Sequence, residues 1–299
     1  MARVLVLGAA AMDTVARVKA FPKTDDIVFP DEIVRVPGGS AANVAVALAR
    51  LGAAVSFLGT VGTDADGEAI ARAFHDERVN TAHLLRLPNG RTAGAFIAVD
   101  QNGERIMYSL GGDALYSDVS LLDGIDFTAG ALYIAEAFSE VGMEAARRVH
   151  ACGGRVYFAP GGVMCGYGLG GIRPLVEVCD TMIVSMPELI KLTGATEAEI
   201  GSAVLLGAGA KAVVVTQGAR GAGLYTDAGS IFAAGVPAVP LDTTGAGDAF
   251  AAAYLFSELR GSEPGARLAF ANRCAAFAVG RFGARTSPRL HEIDREELS

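Results

Sequence analysis

Ser40-Ala41-Ala42-Asn43-Val44-Ala45-Val46-Ala47-Leu48-Ala49-Arg50-Leu51-Gly52-Ala53-Ala54-Val55-Ser56-Phe57-Leu58 holds a complete helix-to-strand unit in one short stretch. Val44, Leu48 and Leu51 recur at helical spacing, Ser40 reads as the N-cap, and Gly52 stands just past the end. Val55–Leu58 then reads as a buried strand. Asn43 is the discordant residue. A poor helix former placed one turn into a helix needs a reason, either a solvent-facing amide or a polar contact worth its cost.

The same rhythm extends in both directions. Val4–Leu7, Ala131–Ile134, Val156–Phe158, Met182–Val184 and Ala212–Val215 are short apolar runs with the composition of parallel strands covered on both faces. Helical patterns lie between them and close the chain at Ala249–Leu259 and Glu263–Val279. The class is α/β with a mostly parallel sheet. Two regions break the rhythm. Extended segments with Pro22 and Pro30 run from Asp13 to Val36, and Thr92–Leu110 reads as a hairpin turning at Asp100-Gln101-Asn102-Gly103. Paired with each other, they predict a small β-lid of residues 13–36 and 91–111. Residues 1–12, 37–90 and 112–299 then form the large domain.

Composition removes several functions. The net charge of −8, with no Lys/Arg block, speaks against nucleic acid as a partner. Cys152, Cys165, Cys179 and Cys274 have no CxxC spacing and read as buried thiols. The histidines form no HxxxH pair, so zinc is unsupported. Arg3 and the apolar run Val4–Met12 imitate a signal peptide, but Asp13 cuts the run short and a buried first strand explains it better. No stretch of apolar residues is long enough to span a membrane. The expected compartment is the cytoplasm.

The chemistry concentrates in Leu241-Asp242-Thr243-Thr244-Gly245-Ala246-Gly247-Asp248-Ala249-Phe250. Small residues before a helix let a ligand approach the backbone. The free amides and the helix dipole at that N-terminus form an anion site, with Asp248 in its first turn. An ionised carboxylate beside an anion hole suits phosphoryl transfer, which needs positioning, charge stabilisation and one base. A second cluster, Pro37-Gly38-Gly39-Ser40-Ala41-Ala42-Asn43, offers close backbone approach and an amide suited to sugar hydroxyls.

Together these segments closely resemble the two signatures of the ribokinase-like (PfkB) carbohydrate kinases: Gly38 to Asn43 through Gly67, and Asp242 to Phe250. The resemblance implies a ribokinase-like three-layer α/β/α sandwich with a β-lid, ATP and Mg²⁺ as cofactors, and K⁺ in many relatives. It implies that Asp248 takes the acceptor proton while the amides of Gly245, Ala246 and Gly247 hold the transferring phosphoryl group. Asp13, Gly38, Gly39 and Asn43 would bind the acceptor. Thr216, Gly218 and Gly221 would lie along ATP, and Asn272 near its adenine. Glu188 would reach Mg²⁺ through water, and Asp242 with Ala284–Ser287 would border the monovalent cation. A homodimer through the lid is compatible with this reading.

There are departures. Ser185 stands where the family often has Asn, Ala159 where many relatives have Asp, and Ser40 where ribokinases proper carry Lys. The acceptor is therefore open between a small sugar, at a primary hydroxyl, and a nucleoside. Lid residues Phe96, Met107 and Tyr108 are candidates to pack on a base. A non-catalytic sugar- or nucleoside-sensing relative is the rival outside enzymes. Two other enzyme classes fail. Ala9-Ala10-Ala11-Met12-Asp13 after the first strand is not GxGxxG, and no lysine sits in GxxxxGK[ST].

Overall fold

Leu5 and Leu7 pack into one apolar cluster while Val4 and Val6 pack into another, so a single strand already shows why its sequence is apolar throughout. This strand, β1 (Arg3–Gly8), lies within a nine-stranded sheet in the computed structural model, which describes residues 3–113, 118–137 and 139–293. On one side β1 pairs in parallel with β4 (Ala54–Gly62), followed by β5 (Leu84–Leu87). On the other it pairs in parallel with β8 (Ala131–Ala135). Beyond that come β9 (Arg155–Ala159), β10 (Thr181–Ser185) and β11 (Ala212–Thr216), also parallel. An antiparallel hairpin of β12 (Gly221–Thr226) and β13 (Gly229–Ala234) closes that edge.

Helices cover both faces. The Val4 face carries α1 (Ser40–Arg50), α2 (Ala65–Asp76), α8 (Ala246–Leu259) and α9 (Pro264–Val279). The Leu5 face carries α3 (Ser139–Ala151), α5 (Gly168–Val178), α6 (Met186–Thr193) and α7 (Ala198–Gly207), with the single turn α4 (Gly161–Met164) following β9. Helix α8 is buried along most of its length, which its small and aromatic residues permit as it packs between α1 and α9.

The chain leaves β1 toward β4 and later returns on β1's other side at β8. That reversal of strand order opens a crevice beyond the carboxyl ends of β1 and β8, the usual ligand site of an open α/β sheet. Over it stands a second sheet in the order β3 (Glu32–Gly38), β2 (Ala11–Arg17), β6 (Ala93–Val99), β7 (Arg105–Gly111). Its hairpin turn is held by Asp100, whose Oδ1 accepts from the Asn102 and Glu104 amides while Gly103 takes a φ of 77°.

The register of this sheet sorts its side chains. Asp13, Ala95 and Ser109 form one cross-strand row, and Arg17, Met107 and Arg105 share their face by the period-two rule. Phe96 and Tyr108 pair with each other on the opposite face, their ring centroids 6.4 Å apart. Of the three residues considered for packing on a base, only Met107 stands on Asp13's side. Composition also misled at Cys152, which is exposed, while Cys165, Cys179 and Cys274 are buried.

Candidate active site

Gly39 adopts a φ of 91° and turns the chain from β3 into α1. A Cβ there would lie 2.7 Å from the Ala9 carbonyl oxygen, so the turn needs glycine for its conformation and its space. Gly39, not Ser40, is therefore the N-cap, which corrects the sequence expectation. Freed from capping, the Ser40 hydroxyl donates to Asp248 Oδ1 at 2.7 Å. One turn on, Asn43 Nδ2 donates to Asp248 Oδ2 at 2.9 Å. The helix-breaking asparagine thus has its reason: it is buried and faces a carboxylate more than two hundred residues away in sequence.

Asp248 stands in the first turn of α8, partly open to the crevice, with its carboxyl enclosed by protein. Burial pushes it up to about 6, and the Asn43 and Ser40 donors pull against that rise. Gly245 ahead of it is left-handed at φ 77°, and a Cβ there would meet the Ala284 carbonyl oxygen at 2.1 Å. Gly247 is different, because a Cβ there would meet nothing within 4 Å. The Ala246 amide makes a long bond of 3.3 Å to the Thr243 carbonyl, whereas the Gly247 and Asp248 amides begin the helix with no intrahelical acceptor.

Asp13 enters from β2. Its carboxyl lies against Gly38, where a Cβ would fall 1.9 Å from Asp13 Oδ2, so Gly38 is small because Asp13 is there. Burial raises Asp13 to about 6, with Arg285 pulling it down. A further acid, absent from the sequence expectations, is Glu136. It immediately follows the end of β8, with a positive φ of 54°. Burial raises it to about 7, the Asp248 charge adds to that rise, and the Ser40 amide opposes it. An acid directly after an apolar parallel strand was the available signal, since strand carboxyl ends face the crevice.

The remaining expected residues occupy several places. Ser185 and Thr216 are register partners at the ends of β10 and β11. Glu188 accepts the Ser185 amide at 2.8 Å, closing the start of α6, and its charge is felt at Asp248 and Glu136. Gly218 and Gly221 are turn glycines with φ of 61° and 114°. Asn272 donates from Nδ2 to the Ala233 and Ala234 carbonyls, each at 3.0 Å, so its amide hydrogens go to the end of β13. Asp242 ties two loops, accepting from the Thr244 amide at 2.8 Å and the Gly283 amide at 2.9 Å. Burial works to raise Asp242, but these bonds and nearby Arg105 hold it below the usual carboxylate range. Arg105 itself, on β7, reaches across to Thr244 Oγ1 at 3.1 Å beside the anion loop.

The glycines, the free helix amides and the open face at Gly247 fit a nucleotide's phosphate tail. No group of three or more His, Cys, Asp or Glu that would hold a metal occurs among the described residues. Glu188 spends one oxygen on Ser185 and keeps the other, which fits a Mg²⁺ ion carried mainly by phosphate oxygens and water.

The family model described as pfkB family carbohydrate kinase matches residues 1–290. The ATP-dependent ribose-1-phosphate kinase of Halopiger xanaduensis is 30% identical over 297 residues, covering 98% of this chain and 97% of its own. The nucleoside kinase of Methanothermobacter thermautotrophicus is 26% identical over 284 residues, with 95% and 91% covered. The solved structure of Arabidopsis thaliana ribokinase complexed with ribose and ATP superposes with a TM-score of 0.85 at 26% identity, covering 97% and 96%.

Proposed function

Because the chain belongs to the pfkB family of carbohydrate kinases, we propose that it transfers the γ-phosphate of ATP to a hydroxyl of a small sugar, with Asp248 as the base. One observation carries this reading: a part-buried carboxylate at a helix N-terminus, oriented by two donors from α1, next to amides with no intrahelical acceptor. Ser40 and Asn43 each engage one lone pair of the Asp248 oxygens. A second lone pair on each oxygen stays available for the acceptor's O–H.

In this reading the acceptor lies between Asp13, Gly39 and Glu136 with its reacting, primary hydroxyl on Asp248. The proton passes to Asp248 as the hydroxyl oxygen bonds to the γ-phosphorus. The bond to the β-phosphate oxygen breaks and ADP leaves. The Gly245–Gly247 loop receives the charge on the phosphoryl oxygens. The lid sheet excludes the water that would otherwise accept the group. Thr216, Gly218 and Gly221 would border the ATP tail, Asn272 the adenine and Glu188 the Mg²⁺. Bound Mg²⁺ supplies charge neutralisation of the phosphates. K⁺ beside Asp242 belongs to the same proposal.

A nucleoside acceptor is the second reading, favoured by Met107 on the Asp13 face of the lid sheet. Coupled ADP release with Mg²⁺, with K⁺ or Na⁺, and a panel of pentoses, hexoses, pentose 1-phosphates and nucleosides tests the proposal. An acceptor that raises turnover well above the water rate supports it and names the class. Ligand binding with no turnover across the panel would favour a sensing protein.

A further inference from the structure

Arg285 packs, part-buried, behind the Asp248 cluster, and among the described residues no carboxylate pairs with it within 4.0 Å. Its neighbour Glu77 is taken by Arg50 and Arg289. The guanidinium instead lies 5.5 Å from the centroid of Phe74, and its Nη1 is buried with no hydrogen-bond partner among the described residues. An arginine buried in this way is costly unless its placement does something. Its one close side-chain bond runs from Nε to Asn43 Oδ1, at 3.2 Å, and its Nη2 only approaches the Gly38 carbonyl, at 3.5 Å.

That bond settles how Asn43 faces. A guanidinium on one side can only donate and a carboxylate on the other can only accept, so the amide must turn Oδ1 to Arg285 and Nδ2 to Asp248. The segment carrying Arg285 is itself fixed to α1, because Arg50 Nη1 donates to the Arg285 carbonyl at 2.6 Å and the Ser287 carbonyl at 3.0 Å. Burial draws Arg285 down to about 10, and it therefore stays charged at neutral pH.

We propose that Arg285 is a positioning residue for phosphoryl transfer: its Nε–H pins the Asn43 amide, which in turn holds the Asp248 carboxylate in its reactive orientation. The proposal rests on the kinase reading above. Without Arg285 the amide is free to rotate and present its oxygen to Asp248, which repels the carboxylate from its place.

A double-mutant cycle of Arg285→Met and Asn43→Ala tests it, read as kcat and as KM for ATP. Arg285→Met should lower kcat about tenfold and leave KM for ATP within about twofold. In the Asn43→Ala background the same change should cost less than about twofold, because its route to Asp248 is already gone. A full tenfold loss persisting in that background, or parental turnover in the single variant, overturns the proposal. Should Arg285→Met fail to fold, Arg285→Lys keeps the charge, lacks the Nε–H and must show the same coupling to Asn43. Absence of acceptor-dependent turnover in the parent protein is a distinct result, and it removes the kinase reading and this assignment together.

Discussion

Asp248 combines burial with two donors, and its behaviour with pH follows from that combination. Its raised value of about 6 means the base is lost as pH falls through that point. Asp13, also about 6, and Glu136, about 7, titrate in the same crevice. The acceptor kcat/KM should therefore be level above about pH 8 and fall on the acid side with an apparent pKa between about 6 and 7. A profile flat to pH 4.5 would contradict this. The same shift has a stability consequence of opposite benefit. A carboxyl that binds its proton more tightly folded than unfolded favours the fold below its unfolded value and penalises it as pH rises through about 6. Asp248→Asn removes that penalty and should be more stable than the parent at pH 8, by up to about 3 kcal/mol, with most of the gain gone near pH 4. Denaturant titrations at the two pH values check it. At this scale the sequence was informative about Asn43, whose type conflicts with its helix, and about Asp248, which follows a glycine-rich loop in the first turn of a helix. Glu136 was signalled only by its place directly after an apolar strand, and Arg285 carries no local signal. Their partners lie about a hundred or more residues away, which no spacing pattern shows.

Among elements, the loop before α8 separates two demands on glycine. Gly245 is required by the fold, through its left-handed φ and its contact with the Ala284 carbonyl. Gly247 has open space around it, so the fold does not require glycine there. Gly245→Ala should cost roughly 1–3 kcal/mol of stability along with activity. Gly247→Ala should leave stability within about 1 kcal/mol, since alanine suits a helix better than glycine, while raising KM for ATP or lowering kcat. Thermal unfolding beside steady-state kinetics distinguishes the two, and equal destabilisation by both would count against a ligand at Gly247. The strands expected from apolar runs occur because burial on both faces writes a continuous pattern. β5 and the β12–β13 hairpin escaped that reading: Leu84–Leu87 carries Arg86 and is mostly exposed, and the hairpin mixes small and exposed residues. The start of α1 was misread by one residue because a positive φ at Gly39, not a hydroxyl cap, makes the turn.

For the whole molecule, three arginines are among the contacts that join the small sheet to the body: Arg17 over the Phe282 ring at 3.6 Å, Arg35 to Asp66 at 2.6 Å, and Arg105 to Thr244. Its face opposite Asp13 shows Ile33, Tyr108 and Leu110 to solvent, each about half or more exposed. We propose that a second copy of the chain covers that face; the sequence reading is compatible with a homodimer through the lid but does not decide it. Light scattering behind gel filtration should give a dimer that Tyr108→Glu with Leu110→Glu converts to a monomer, and a monomeric parent would refute the expectation. The layered architecture was legible at this scale because the α/β rhythm covers most of the chain. The arrangement of the two sheets was legible only in outline, since cross-strand register decides which lid residues face the crevice.

Phosphoryl transfer through Asp248 is most directly tested by Asp248→Asn, assayed with the acceptor that gives the highest ADP release in the parent. The expected result is a kcat lower by at least about 10²-fold, with ATP affinity nearly unchanged. Turnover close to the parent's would show that another group accepts the proton and that the cluster of Ser40, Asn43 and Asp248 serves the fold alone.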